Sequence, residues 1–212
     1  MTPPAAPDRA RCAPRQARGR QTYERLLQAA GELLAEVGFQ ELSTNMICAR
    51  AGLSPPALYR YMKDKYAVLE ALAERLMADQ NAVLEAWLGR HAAGGTARMA
   101  RHVDELLRET AEVTRRQPGA VWILRSLRAI PQLSDLRRAS NGYVTERLAR
   151  AYAPSMPELP PERLRRRVLI SVEFGYAIGE SVLECAPEEA EPLLAEAARM
   201  LASLFVVDTL PD

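Results

Sequence analysis

Apolar residues recur at spacings of three and four through most of the chain from Gln21 onward, and no stretch alternates β-branched with polar residues. This period places apolar side chains along one face of an α-helix. In the first such segment, about residues 21–37, leucine, alanine and valine share a face, and Gly38 follows where a left-handed C-cap is expected. The pattern predicts an all-α protein whose first helix stops at Gly38.

Proline and glycine divide the rest of the chain into further helical segments. Asp64 can cap a long helix that ends near Arg90, just before the pair Gly94-Gly95. Later helices are predicted at about residues 96–116, 119–129, 134–153, 161–185 and 188–208. Together with the two short helices described next, the prediction is about nine helices without an internal repeat.

Residues 43–65 read as two short helices joined by a tight turn, which predicts a helix-turn-helix. Ser43 or Thr44 can cap the first helix, which ends at Gly52, and Ser54 can cap the second, with Pro55 at its first helical position. A small residue, Cys48, and apolar residues at Ile47, Ala51, Leu53 and Leu58 would let the two helices cross closely. An ordinary helical corner shares these features and remains an alternative.

Composition excludes several classes of protein. With 48% hydrophobic and 26% charged residues, the chain can form a substantial core and is not typical of disorder. Its apolar stretches are far shorter than the roughly 20 residues of a membrane span. Cys12, Cys48 and Cys185 are scattered, which predicts neither a disulfide framework nor a metal site. We therefore expect a cytoplasmic protein that does not associate with membranes.

The formal charge of +1 conceals an asymmetry, because residues 1–66 carry ten basic and six acidic side chains. The excess lies in residues 1–20, which hold five arginines and one aspartate, so we expect a flexible basic arm at residues 1–19. Such an arm could follow DNA phosphates or enter a narrow minor groove, or it could be a tail without a specific role.

Ala51-Gly52-Leu53-Ser54-x-x-x-Leu58-Tyr59-x-Tyr61-Met62-x-x-Lys65, together with Gly38-Phe39 at the end of the first helix, resembles the DNA-binding domain of the TetR family of bacterial transcriptional regulators. The resemblance covers about residues 20–70. Beyond the arm, it implies a helix-turn-helix domain at residues 20–66 and a helical domain at residues 67–212 for ligand binding and dimerisation.

The resemblance implies that residues 54–62 form a recognition helix that enters the major groove of double-stranded operator DNA. The residues implied to lie nearest the bases are Asn45, Pro55, Pro56, Ala57 and Tyr61. Thr44, Tyr59 and Lys65 match positions that the family uses on phosphates. Tyr61 and Met62 stand where many relatives have histidine and phenylalanine, so the contacts of Tyr61 can differ.

The last two predicted helices could pair with another subunit. In the first of them, at residues 161–185, the small residues Ser171, Gly175 and Gly179 recur at every fourth position, which would let another helix approach closely. The family resemblance makes this face a homodimer interface, although it could also pack within one subunit. The predicted interface comprises Ser171, Val172, Gly175, Gly179, Val182, Leu193, Ala197, Leu201, Leu204 and Phe205.

The central helices set polar and aromatic residues among apolar ones, and the family implies a mostly apolar ligand pocket there. The candidate ligand-binding residues are Trp87, Met99, His102, Trp122, Arg125, Tyr143, Glu173, Phe174 and Tyr176. Glu173 needs a partner if it is buried, and Arg125 could supply it. Each of these residues could instead belong to the core or to a structural ion pair.

These features predict a ligand-responsive regulator, most simply a repressor that binds a palindromic operator as a homodimer and is released by a small apolar or amphipathic effector. We expect no catalytic residue, metal or cofactor, because His91 and His102 lack ligand partners at suitable spacing and no phosphate-binding loop or GxSxG motif occurs. The alternatives are an all-α enzyme and an interaction module that keeps the fold without specific operator binding.

Overall fold

The computed structural model describes residues 17–205 of the 212-residue chain, and these residues form α-helices joined by turns, with no strand among them. The all-α prediction is confirmed. The helices are α1 Ala17–Glu41, α2 Thr44–Ala51, α3 Pro55–Tyr59, α4 Lys65–His91, α5 Gly95–Arg101, α6 Val103–Arg116, α7 Ala120–Ala129, α8 Ser134–Tyr152, α9 Pro161–Glu184 and α10 Pro187–Ser203. Short 3₁₀ turns lie at Ala92–Gly94, Pro131–Leu133 and Ala153–Ser155.

The first helix differs from its prediction at both ends. It begins at Ala17, so the last residues of the predicted arm are helical, while residues 1–16 lie outside the described residues. Gly38 does not end the helix but bends it, with φ of 71° and ψ of 178°. A β-carbon at Gly38 would lie 3.0 Å from Cζ2 of Trp122, so the glycine also makes room for an indole from α7.

The single helix predicted at residues 96–116 is divided at His102, whose φ and ψ are −118° and 15°. Trp87 of α4 donates its indole N–H to the backbone oxygen of His102 at 2.8 Å. The break separates α5 from α6 and directs this carbonyl at a side chain of α4. The sequence around His102 contains neither proline nor glycine, which is why it did not predict a break.

Helices α1, α2, α3, α4 and α7 share one hydrophobic core. It includes Leu26, Leu34, Leu58, Leu72 and Ile123. The predicted boundary near residue 66 therefore does not separate two cores. A close contact accompanies this packing, because a β-carbon on Gly31 would lie 2.9 Å from the backbone oxygen of Pro118. Helix α1 thus packs directly against the turn before α7.

The second half of α4 enters another core with α5, α8 and α9. Leu84, Trp87, Met99, Leu148 and Val168 belong to it, and Trp87 and Met99 are fully buried. Helix α4 therefore connects the helix-turn-helix to the rest of the protein, as predicted for residues 64–90. No helix among residues 17–205 is long and apolar enough to cross a membrane.

Candidate functional site

The helix-turn-helix is formed by α2, α3 and the turn between them. The Ser43 hydroxyl caps α2 by accepting the Met46 N–H at 3.3 Å. Gly52 ends α2 in the left-handed conformation, and the Leu53 N–H then donates to the oxygen of Cys48 at 2.9 Å. Ser54 occupies the predicted N-cap position of α3, but its side chain makes no capping hydrogen bond.

Cys48 lies in the crossing of these helices and is buried at 3% exposure. Burial raises the pKa of its thiol, which keeps the thiol protonated and unreactive. The structure therefore supports the structural interpretation of this cysteine, as a small side chain that lets α2 pack closely.

One edge of the helix-turn-helix, with both polar and apolar side chains, faces solvent. Asn45, Pro55, Pro56 and Tyr59 are exposed, and Ala57 is half-buried among them. The hydroxyls of Thr44 and Tyr59 lie 3.1 Å apart, which links the start of α2 to the end of α3. Both hydroxyls retain capacity for further hydrogen bonds, such as those to phosphate oxygens.

Tyr61 and Lys65 are more constrained than the sequence suggested. Tyr61 is half-buried and meets Tyr23 of α1 edge to face, with 6.0 Å between ring centroids. The Lys65 ammonium donates to the backbone oxygens of Phe39 and Gln40 at 3.1 and 3.0 Å, which satisfies the carbonyls at the end of α1. One of its three N–H donors is left for a phosphate.

Sequence reasoning missed Arg60, which follows α3 and is exposed beside the candidate contact residues. Its guanidinium lies 5.8 Å from the ring centroid of Tyr61. The sequence Tyr59-Arg60-Tyr61 within the helix-turn-helix could have indicated Arg60 as a candidate DNA contact, since arginine stacks on aromatic rings and is common in nucleic-acid recognition.

A cavity of about 140 Å³ lies between α4, α6, α8, α9 and α10. None of the side chains lining it is charged, and most are apolar. They are Gln80, Asn81, Leu84, Val103, Leu106, Leu107, Thr110, Ala111, Thr114, Leu124, Val144, Leu148, Tyr152, Ser171, Val172, Gly175, Tyr176, Ile178, Gly179, Leu194, Leu201 and Phe205. Such a lining suits an uncharged, mainly apolar ligand.

The small residues of α9 leave space for this cavity. A β-carbon on Gly175 or Gly179 would meet no atom within 4 Å, although both glycines line the wall. Polar groups are few and partly paired: Gln80 donates to the Thr114 hydroxyl at 2.9 Å, and Tyr176 and Ser140 share a hydrogen bond of 3.3 Å.

Residues 26–72 match the sequence model of the bacterial regulatory proteins of the tetR family, and residues 99–204 match that of the tetracyclin repressor-like C-terminal domain. The chain belongs to the TetR family. Its relatives are transcriptional regulators and not enzymes, which confirms the prediction of a non-enzymatic, DNA-binding regulator.

Among its TetR-family relatives, the class A tetracycline repressor of Escherichia coli is 41% identical over 56 residues, a match that covers 26% of each chain. The chain thus spans about a quarter of the length of that repressor. The regulator UidR of Escherichia coli K12 is 26% identical over 182 residues, covering 84% of this chain and 86% of UidR.

Solved structures of other proteins have a similar fold. A TetR-family regulator from Streptomyces coelicolor has a TM-score of 0.61 at 26% identity, covering 86% of this chain and 96% of its own. GusR of Salmonella enterica shares the fold with a TM-score of 0.62 at 22% identity, covering 89% and 97%.

The cavity of this TetR-family chain contains only one of the nine predicted ligand-binding residues, Tyr176. Trp87 and Met99 are fully buried core residues and do not line the cavity. Trp122 and Tyr143 are exposed, the former against Gly38 and the latter donating to Glu85 at 2.8 Å. Helical spacing alone does not show whether an aromatic residue lies on a cavity wall, in a core or at the surface, which is why the predicted set and the cavity lining differ.

Glu173 does not pair with Arg125, so the partner that the sequence suggested for Glu173 was wrong. Arg125 pairs with Glu184 at 2.8 Å and lies over the ring of Trp122, whereas Glu173 contacts Arg137 and Asn141 of α8. Phe174 is half-buried and packs against Val103, Ala198 and Leu201 rather than lining the cavity.

His102 joins His91 and Glu105 in a cluster that the sequence spacing did not predict. The two carboxylate oxygens of Glu105 lie 2.9 Å from His91 Nε2 and 2.7 Å from His102 Nδ1, and the imidazole rings stack. Within residues 17–205 this is the one group of potential metal ligands. Arg98 donates to His91 at 3.4 Å and Arg90 lies 3.9 Å from Glu105, which makes the surroundings unfavourable to a cation.

The small-residue face predicted as the dimer interface points into the same subunit. Ser171, Val172, Gly175, Gly179, Leu201 and Phe205 line the cavity, and Val182 and Ala197 are buried. Leu193 and Leu204 are half-buried against neighbouring helices. Small residues permit either close helix contact or an internal space, and in this subunit they border an internal space. The outward side of α9 and α10 exposes Ile170 and Met200 instead.

Proposed function

We propose that this TetR-family chain is a ligand-responsive repressor that binds a palindromic operator as a homodimer in the bacterial cytoplasm. In this proposal, residues up to 66 bind DNA, and residues 67–212 bind an uncharged, mainly apolar effector and pair two subunits. The proposal rests on one observation. The same chain has a helix-turn-helix edge that faces solvent and an uncharged cavity, and α4 and α7 connect the two.

The exposed edge divides its roles by chemistry. Thr44, Tyr59 and Lys65 would contact phosphates and fix the register of the protein on DNA. Asn45 would read a base, since its amide can pair with adenine, while Pro55, Pro56 and Ala57 offer only apolar contact, for example to thymine methyl groups. Tyr61 would contribute at the margin, because its ring already packs on Tyr23.

A homodimer is required because α3, with five residues, reads few base pairs. In a dimer whose two recognition helices lie about 34–36 Å apart, the helices would enter successive major grooves and read a palindrome. The outward side of α9 and α10 is the surface proposed to pair them, in place of the face that the sequence suggested.

Effector binding would be transmitted through α4 and α7. Both helices border the cavity, and both also pack in the core that contains the helix-turn-helix. The cavity wall includes Gln80 of α4, Thr114 of α6 and Leu124 of α7. The end of this route at the DNA-binding domain is tightly packed, because the turn that precedes α7 contacts Gly31 of α1. An effector releases DNA only if it binds better to a conformation whose recognition helices are incorrectly spaced.

The proposal is tested by fluorescence anisotropy with DNA fragments flanking the gene, over a range of salt concentrations. Asn45→Ala should lower affinity by about 1–3 kcal/mol and relax the preference at one base pair of each half-site. Arg116→Ala, which alters an exposed ion pair on α6, is the matched control and should leave affinity unchanged. Binding that shows no sequence preference would instead favour an interaction module with this fold.

A further inference from the structure

A second, smaller pocket lies beside the main cavity and differs from it in chemistry. Three of its lining residues, Gln80, Leu124 and Tyr176, also line the main cavity and form the partition between the two. The remaining lining is largely polar and comprises Met77, Leu127, Arg128, Arg137, Asn141, Glu173 and Glu180. Its volume of about 20 Å³ accommodates one polar group of the size of a water molecule.

Asn141, one of the lining residues, carries a buried hydrogen-bond acceptor without a partner. Its side chain is buried at 5% exposure, and its Oδ1 has no partner, while its Nδ2 donates to Oε1 of Glu173. The Glu173 carboxylate accepts only, so the amide cannot be turned around without opposing two oxygens. The orientation of Asn141 is therefore fixed, and an acceptor without a partner is costly at a buried position.

The charges of the pocket cancel in pairs. Arg137 lies 3.4 Å from Glu173, and Arg128 lies 2.8 Å from Glu180. A charged ligand group would disturb one of these pairs and would have to leave water to do so. A neutral group with an N–H donor would satisfy Asn141 and leave both pairs intact.

We propose that the effector carries a neutral N–H donor group, of which a primary amide is the simplest, and that the nitrogen of this group enters the small pocket and donates to Asn141 Oδ1 while the apolar body fills the main cavity. Side-chain movement of the partition residues, of which Gln80 is the most easily moved, would connect the two spaces. The inference rests on the proposed function, because it assumes that the main cavity is the effector site.

Octanamide and methyl octanoate are suitable probes, since both are neutral carbonyl compounds with the same acyl chain and only the amide has N–H donors. Isothermal titration calorimetry on the full-length protein should show that octanamide binds about tenfold more tightly, the value of one buried hydrogen bond made rather than left unmade. In Asn141→Leu this preference should disappear because octanamide loses affinity, while the affinity for methyl octanoate is unchanged or higher.

Asn81→Leu is the matched control, because Asn81 lines the main cavity but not the small pocket, and it should keep the preference. If Asn141→Leu does not fold, Glu173→Gln provides the same test, since a neutral amide at 173 lets Asn141 turn and weakens the preference. Equal binding of both probes by the natural protein would mean that only water fills the small pocket, and it would overturn this inference alone. Binding of neither probe would overturn the proposed effector site as well.

Discussion

At the scale of single residues, Glu85 shows how one carboxylate can join two helices. Located on α4, it accepts hydrogen bonds from the guanidinium of Arg147 and the hydroxyl of Tyr143, both on α8. Hydrogen bonds from Arg147, and next from Tyr143, lower the pKa of Glu85 to about 2. The carboxylate is 37% exposed, so solvent screening reduces the stabilisation that such a shift suggests.

The pH dependence of stability follows from this shift. Because the pKa of Glu85 is lower in the folded state than its ordinary value of 4.5, its contribution is complete above pH 4.5 and declines as the pH falls toward 2. Glu85→Gln should lower the free energy of unfolding by about 0.5–1 kcal/mol at pH 7 and by roughly half as much at pH 3. Urea denaturation at both pH values measures the difference. Glu112→Gln, in an exposed pair with Arg116, is the control, and an equal loss at both pH values for Glu85→Gln would contradict the assignment.

Individual side-chain partners were the hardest feature to predict from the sequence. Glu173 stood out as a carboxylate in an apolar helix, but its contacts with Arg137 and Asn141 depend on how α8 packs against α9. That packing involves residues more than 30 positions apart, for which helical periodicity gives no information. The same is true of Asn141, whose unsatisfied oxygen is visible only in three dimensions.

At the scale of elements, the sequence predicted most helix boundaries within a few residues, because caps and breaks are local. Ser43, Gly52 and Asp64 act at the positions expected of them, with Asp64 accepting the Ala67 N–H at 2.8 Å. The exceptions, Gly38 and His102, are positions where a tryptophan from another helix meets the backbone. Tertiary contact rather than local propensity determines those two features.

Helix α9 gives the clearest prediction at this scale, because Gly179 lines the cavity and has no neighbour at its β-carbon. Gly179→Leu should fill part of the cavity, preserve operator binding and raise the effector concentration needed for release at least about tenfold, since overpacking costs 1–3 kcal/mol. Octanamide-dependent release of labelled operator DNA measures it. Gly142→Leu on α8 is matched, because that glycine also has an open β-carbon position but lies outside the cavity. An unchanged response in Gly179→Leu would place the effector elsewhere.

At the scale of the whole molecule, the side of α9 and α10 that faces away from the cavity is the surface that we propose pairs two subunits. Ile170 is 63% exposed and Met200 is 50% exposed, which is unusual for side chains of their size. The two helices are consecutive and pack against each other. At 1.5 Å per residue, both side chains lie roughly 20 Å from the turn that joins the two helices, and therefore at a similar level along them.

A charge at this level should separate the subunits, because burying an unpaired carboxylate at a symmetric interface costs several kcal/mol and the twofold axis applies the substitution twice. Ile170→Glu should therefore be monomeric by light scattering at micromolar concentration, with an unchanged helical circular dichroism spectrum. Its affinity for the full operator should fall to that for a half-site, since only a dimer reads both halves. Ala139→Glu adds the same charge to an exposed position of α8 and should remain dimeric. A dimeric Ile170→Glu variant would show that another surface pairs the subunits, and the spacing of the recognition helices would then have to be controlled from there.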